Sequence, residues 1–295
     1  MRAQDLTISI PYKGCDKSPL CPYCVSKSTG QVKTNRELME RNVPKVLSLA
    51  RTAQVTSVLL TGKGEPFLNY PDVLHFTNLF REFPVEIQTN GIWLAKHGEF
   101  SSEQDDTTFQ DLYASGLNVI AVSVDDIRCS HVQEIASSAH DYGMLVRVTF
   151  NVTNKLFPVG KMGSLKDLVL KCKEWGADQM TLRNITIPNH TGDTTQNEWI
   201  KNNVNPELYK HLIEELKYSA TGSAFIEGEQ KEKPESFLVR TLQYGSKVYD
   251  YQGISVSYSD YCIQDSSTND DIRSLVFMED GHVYCGWGSK ASILF

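Results

Sequence analysis

The chain has 295 residues, 40% of them hydrophobic and 22% charged, enough for one large α/β domain or two small ones with a sizeable core. Its 29 basic and 36 acidic residues give a net charge of −7, which argues against a broad phosphate-binding surface and against folded nucleic acid as a partner. Met1–Asp5 run into a strand pattern without an apolar signal core, no stretch reaches membrane-span length, and the seven cysteines are odd in number with three clustered; the expectation is a reduced, cytoplasmic protein without membrane contact.

In chain order, Leu6–Ile10 alternate as a strand and lead into a loop with Cys15, Cys21 and Cys24, spaced C-x5-C-x2-C. Three thiols with no fourth nearby suit an iron–sulfur cluster with one iron open, or a zinc ion that borrows a ligand from elsewhere; the spacing does not choose between them. Thr34 and Glu37 form a capping-box pattern ahead of Leu38, Met39, Val46, Leu47 and Ala50, which predicts a helix that Pro44 kinks or delays. Val55–Thr61 predict a buried strand that ends in Gly62-Lys63-Gly64-Glu65-Pro66.

The order then repeats. A helical face of Val73, Leu74, Phe76, Leu79, Phe80 and Phe83 precedes a strand over Val85–Gly91, and 94–108 read as a polar loop with a short helix. A helix at about 109–115 leads to a strand over Asn118–Asp125; a helix from Ser130, closed by Gly143, leads to Met144–Asn151; and a helix near 164–175 leads to Gln179–Ile185. Six strands alternating with helices imply parallel, right-handed βαβ units, which a doubly wound sheet and a partial barrel both satisfy. In either, the loops at the C-terminal ends of the strands form the functional face.

Beyond Pro188 the composition shifts. Residues 189–205 read as a polar loop, 206–219 as a helix and 227–236 as a solvated linker, and the remainder is β-rich with a hairpin about Asp280-Gly281. The expected organisation is a core over 1–190, a loop, helix and linker over 191–236, and a C-terminal extension over 237–295 that covers the barrel.

The strand ends deliver the three cysteines, then Gly64-Glu65-Pro66, Asn90-Gly91, Ser123 with Asp125, Asn151, and Arg183. A cysteine triad after the first strand with an aromatic, Tyr23, before its last cysteine, a Gly-Glu-Pro loop after the second strand and Thr-Asn-Gly after the third resemble the radical S-adenosylmethionine (SAM) superfamily over about residues 6–190. The loop departs from the common C-x3-C-x2-C spacing by two extra residues, and Lys63 stands where Gly-Gly-Glu-Pro has its first glycine.

The resemblance implies an α/β fold, a partial (β/α)6 TIM-type barrel with a β-rich C-terminal extension. It implies a [4Fe–4S] cluster held by Cys15, Cys21 and Cys24, with SAM chelating the fourth iron through its amino and carboxylate groups and yielding a 5′-deoxyadenosyl radical on reduction. Glu65 would accept from the SAM amino group, and Gly64 and Asn90 belong to the same cofactor-binding set. Tyr23 would lie near the adenine, Ser123 and Asn151 near the methionyl and ribose groups, Asp125 beside them, and Arg183 on the SAM carboxylate or an anionic substrate. A small polar or nucleotide-like molecule is the expected substrate, and a flavodoxin or ferredoxin the expected electron donor.

The alternatives are a peptide-modifying radical SAM enzyme, and a zinc- or cluster-stabilised α/β binding protein without catalysis. Cys172 falls on an apolar helix face and reads as a small hydrophobe, and Cys129 as structural. Asp280-Gly281-His282-Val283-Tyr284-Cys285 resembles the hairpin of auxiliary-cluster extensions, where Cys262 and Cys285 would be too few for a full second cluster.

Overall fold

The computed structural model describes residues 2–17, 19–24, 26–27, 30, 32–97, 107–160, 163–187, 194–221, 235–242, 246–259, 272–287 and 290–295. Six strands, β1 (Ala3–Ile10), β2 (Ser57–Gly62), β3 (Val85–Thr89), β4 (Leu117–Val124), β5 (Leu145–Val152) and β6 (Gln179–Asn184), lie side by side in chain order, all parallel. The helices between them are α1 (Arg36–Thr52), α2 (Tyr70–Leu79), α3 (Ile92–His97), α4 (Thr108–Ser115), α5 (His131–Asp141) and α6 (Leu165–Trp175), followed by α7 (Thr194–Asn203) and α8 (Pro206–Thr221).

Later strands extend both edges. β9 (Ile254–Ser259) adds parallel to β6, and β8 (Lys247–Tyr251) and β7 (Ser236–Thr241) follow it antiparallel. β10 (Ile272–Phe277) adds parallel to β1 and turns back through Asp280-Gly281 into β11 (Val283–Tyr284). The result is an 11-stranded sheet in which eight consecutive strands are parallel, a partial TIM-type barrel extended at both edges.

Period-two alternation divides the sheet into two faces. Leu6, Ile8 and Ile10, Val58 and Leu60, Ile120, Val122 and Val124, Val146, Val148 and Phe150, and Met180 and Leu182 are buried in the main core with helical residues such as Met39, Val73, Phe76, Ile135 and Leu168. The opposite face carries Asp5 and Thr7, Glu86 and Gln88, Arg147 and Thr149, and Thr181 and Arg183, which line a central cavity. The hydrophobic core therefore lies between sheet and helices, and the barrel interior is left polar.

Three local expectations change. The N-cap of α1 is Asn35, whose side chain accepts from Leu38 N at 3.1 Å, because the Thr34 hydroxyl is drawn instead to Glu279 Oε2 at 2.9 Å. Pro44 sits inside the helix, which runs on unbroken, with its ring on the exposed face where water can take the carbonyl it leaves unbonded. The stretch expected as a polar loop over 189–205 contains α7, anchored by the buried Gln196 and Ile200 one turn apart. Among the described residues no helix is long and apolar enough to cross a membrane.

Candidate active site

The cavity, about 610 Å³, opens at the C-terminal ends of β1–β6. Cys15, Cys21 and Cys24 line it together with Tyr23, Gly64, Glu65, Asn90, Ser123, Asn151 and Arg183. The three cysteines are free thiols. Among the described residues no group of three Cys, His, Asp or Glu closes tightly enough for one metal ion. Cys262 lies outside the described residues; Cys285, after β11, lines the same cavity. Cys172 is buried in the core and Cys129 half-buried beside it.

The cysteine loop is fastened by short contacts. Glu65 N donates to Gly14 O at 2.9 Å, and a Cβ on Gly64 would stand 2.0 Å from that same carbonyl oxygen, so only glycine lets the two loops meet. A turn carries Tyr23, with Cys24 N donating to Cys21 O at 3.1 Å. Helix α7 backs this turn: Gln196 Nε2 donates to Cys24 O at 3.2 Å, and the Trp199 and Tyr23 rings are 5.3 Å apart.

Two residues of the long gap between Cys15 and Cys21 fasten the loop. Asp16 accepts from Asn90 Nδ2 at 2.8 Å, tying the loop to the end of β3, and Lys17 pairs with Asp125 at the end of β4. The Asp125 carboxylate also accepts from the Tyr23 hydroxyl and from Asn151 Nδ2 at 2.8 Å. Burial raises its pKa, but Lys17 and these hydrogen bonds outweigh burial and hold it below the ordinary carboxylate range. Burial together with Asp125 keeps the Tyr23 phenol protonated. Asp125 therefore acts on the loop and not as an open cavity group. Lys17→Ala should release this clasp: amide hydrogen exchange over residues 11–24 of the metal-free protein should quicken about fivefold, corresponding to about 1 kcal/mol, with α6 unchanged.

Glu65 is 4% exposed. Its Oε1 accepts from Thr89 Oγ1 at 2.7 Å and Phe67 N at 3.2 Å, and its Oε2 from Asn90 N at 2.9 Å. Burial dominates over these bonds and pushes the carboxyl up to about 7. A carboxylate has about four acceptor positions; the one left on Oε2 suits a ligand N–H. Asn90 Nδ2 also lies 3.8 Å from Cys15 Sγ, and burial raises the Cys15 and Cys21 thiols, with Lys17 pulling Cys21 back down.

Lys63, at the departure from the Gly-Gly-Glu-Pro pattern, is only 2% exposed. Its ammonium donates to Gly30 O and feels Glu279 and Asp280, while burial lowers its pKa. Glu279, fully buried in the β10–β11 hairpin, accepts from Tyr12 N at 2.8 Å. The hairpin thus holds the start of the cysteine loop. Sequence reasoning missed Lys17, Glu279 and the charged barrel lining; only the last had a signal, the i, i+2 spacing of Glu86 with Gln88 and of Arg147 with Thr149.

The residues present fit a cluster and SAM. Three thiols of one loop face one volume, Glu65 keeps an acceptor position open, and Asn151 Oδ1 is buried at the lining with no partner among the described residues.

Residues 6–126 match a family model described as a 4Fe-4S single cluster domain. No curated protein sequence matches the chain. Among solved structures, SuiB of Streptococcus suis bound to S-adenosylmethionine aligns with a TM-score of 0.56 and 14% identity over 96% of this chain and 60% of SuiB. A second SuiB structure gives 0.50 and 15% over the same shares. The radical S-adenosylmethionine methyltransferase TsrM from Kitasatospora setae, with tryptophan and a SAM analogue bound, gives 0.41 and 15% over 61% of this chain and 36% of TsrM. The chain thus spans 60% of the length of SuiB. The cysteine loop thus lies inside a stretch that matches a 4Fe-4S single cluster domain, and the chain shares the fold of SuiB along nearly all of its length.

Proposed function

We propose that the protein is a radical SAM enzyme acting on a small polar substrate, with Cys15, Cys21 and Cys24 each holding one iron of a [4Fe–4S] cluster and SAM on the fourth. The carrying observation is that three free thiols of one loop share a cavity with the Gly64-Glu65-Pro66 loop pinned against that loop. When bound, cluster and SAM together supply a carbon-centred radical that removes hydrogen from substrate.

The chain's own residues bind, orient and shield. Glu65 receives the SAM amino group on its open Oε2 position, and Gly64 and Asn90 hold that side of the pocket close. Tyr23, fixed by Asp125 and Trp199, shapes the adenine end through its main chain. Ser123 and Asn151 face the methionyl and ribose groups, with Asp125 orienting the Asn151 amide. Arg183 takes an anion, on SAM or on substrate. In this reading residues 1–190 are the catalytic core and 237–295 cover it, with Cys285 to Trp287 closing the cavity rim. A flavodoxin or ferredoxin supplies the electron. The polar lining of Asp5, Thr7, Glu86 and Gln88 favours a small polar substrate.

Anaerobic reconstitution tests the cluster assignment. Iron and sulfide in the ratio of a [4Fe–4S] cluster, with an electron paramagnetic resonance signal on reduction that SAM perturbs, are expected. Stoichiometric zinc without iron–sulfur absorption would overturn it.

A further inference from the structure

The cavity continues below the strand ends into the barrel, where its lining is charged: Asp5, Glu86, Arg147 and Arg183 all face it. In a closed eight-stranded barrel the interior is filled by branched apolar side chains; here it is charged, and charges in such a place need partners. Arg147 has them. Its Nη1 is 2.5 Å from Glu86 Oε2, and its Nε and Nη2 donate to Gln179 Oε1 at 2.8 and 2.7 Å.

Arg183 lacks them. It stands four residues further along β6 than Gln179, nearer the cysteine loop, is half-buried, and makes no hydrogen bond or ion pair with any described residue. Its field reaches both Glu86 at the floor and Tyr23 at the mouth. Its register partner on β5 is Asn151, a lining residue that is 5% exposed, gives its Nδ2 to Asp125, and leaves its buried Oδ1 without a hydrogen-bond partner among the described residues. A guanidinium fork without an anion and a buried amide oxygen without a donor, side by side, mark a wall that faces a ligand.

We propose, resting on the radical SAM reading, that Arg183 binds the substrate through an anionic oxygen group, a carboxylate or a phosphate. In that reading the SAM carboxylate is spent on the open iron beside the cysteine loop, and its amino group on Glu65 at the end of β2. Arg183 stands on β6, with β3, β4 and β5 between it and β2, whose end carries Glu65. The planar fork of the arginine pairs bidentately with carboxylate or phosphate, a recognition that a lysine does not reproduce.

The test uses reconstituted protein with SAM, titrated with inorganic phosphate, with acetate and, as an ionic-strength control, with chloride, while its melting temperature is followed. Wild type should show a saturable rise with phosphate or with acetate beyond that of chloride; phosphate alone identifies a phosphoryl group, acetate alone a carboxylate. Arg183→Gln should weaken that binding by at least about tenfold, and Arg183→Lys should retain part of it, with SAM binding unchanged in both. The same saturable shift in Arg183→Gln, no shift in wild type beyond chloride, or loss of SAM binding in both variants would overturn the assignment, the last by giving the arginine to the cofactor. Failure to assemble a cluster would instead count against the radical SAM reading, and the wild-type anion titration of metal-free protein would still report on Arg183.

Discussion

Gly64→Ala should cost the protein its cluster before it costs the protein its fold. The added methyl would stand 2.0 Å from Gly14 O and 2.9 Å from the Tyr12 ring, and a backbone carbonyl cannot step aside as the tip of a flexible side chain can. The Glu65 N to Gly14 O bond of 2.9 Å must open, moving Cys15 one residue further on. Overpacking of this kind costs about 1–3 kcal/mol, which a domain with this core survives. The expected outcome is iron content after anaerobic reconstitution reduced to a small fraction of wild type, with the far-ultraviolet circular dichroism spectrum unchanged. Full iron loading in this variant would show that the two loops need not touch.

Glu65→Gln should lose both SAM affinity and stability. The amide has one acceptor oxygen where the carboxylate has two, so its NH2 group must face Asn90 N or Phe67 N, each of which now donates to Glu65. Leaving a buried donor unpaired costs about 1–3 kcal/mol. SAM binding, measured anaerobically by calorimetry, should weaken at least about tenfold, because a charge-assisted bond to the amino group is removed.

The pH dependence carries a sign of its own. Burial raises the Glu65 carboxyl from 4.5 to about 7, so the folded state holds this proton more tightly than the unfolded chain. Its contribution to stability is complete below about pH 4.5 and is lost as the pH rises through about 7. Glutamine has no such proton. The deficit of Glu65→Gln in urea midpoint relative to wild type should therefore shrink between pH 4.5 and 7, and a deficit that grows over that window would contradict the assigned shift.

The βα series was legible because each strand is a short β-rich run between polar turns, and a buried parallel strand needs little else. Val85–Thr89 and Gln179–Asn184 start where their composition places them. What local pattern does not encode is pairing at a distance. Nothing in Ile254–Ser259 or Ile272–Phe277 says that one joins β6 and the other β1, because the partners are remote in the chain and alternation alone fits any neighbour. Helix α7 was hidden because its buried face is narrow, Gln196 and Ile200 with Trp199 beside them against Tyr23.

In the site, the thiols and the Gly-Glu-Pro loop stood out because their chemistry needs fixed residue types at short spacing. The Lys17 to Asp125 clasp did not, since a lysine in a loop is ordinarily a solvated charge and its partner lies 108 residues away. Lys63 read as a lost glycine; the fold accommodates it by turning its ammonium toward Gly30 and the β10–β11 hairpin.

The most direct measurement is anaerobic incubation of reconstituted protein with SAM and dithionite, followed by mass spectrometry for 5′-deoxyadenosine. Wild type should form it, and Cys24→Ala, which removes one of the three thiols facing the cavity, should form essentially none. Full SAM cleavage by Cys24→Ala, or none by wild type carrying a complete cluster, would contradict the account.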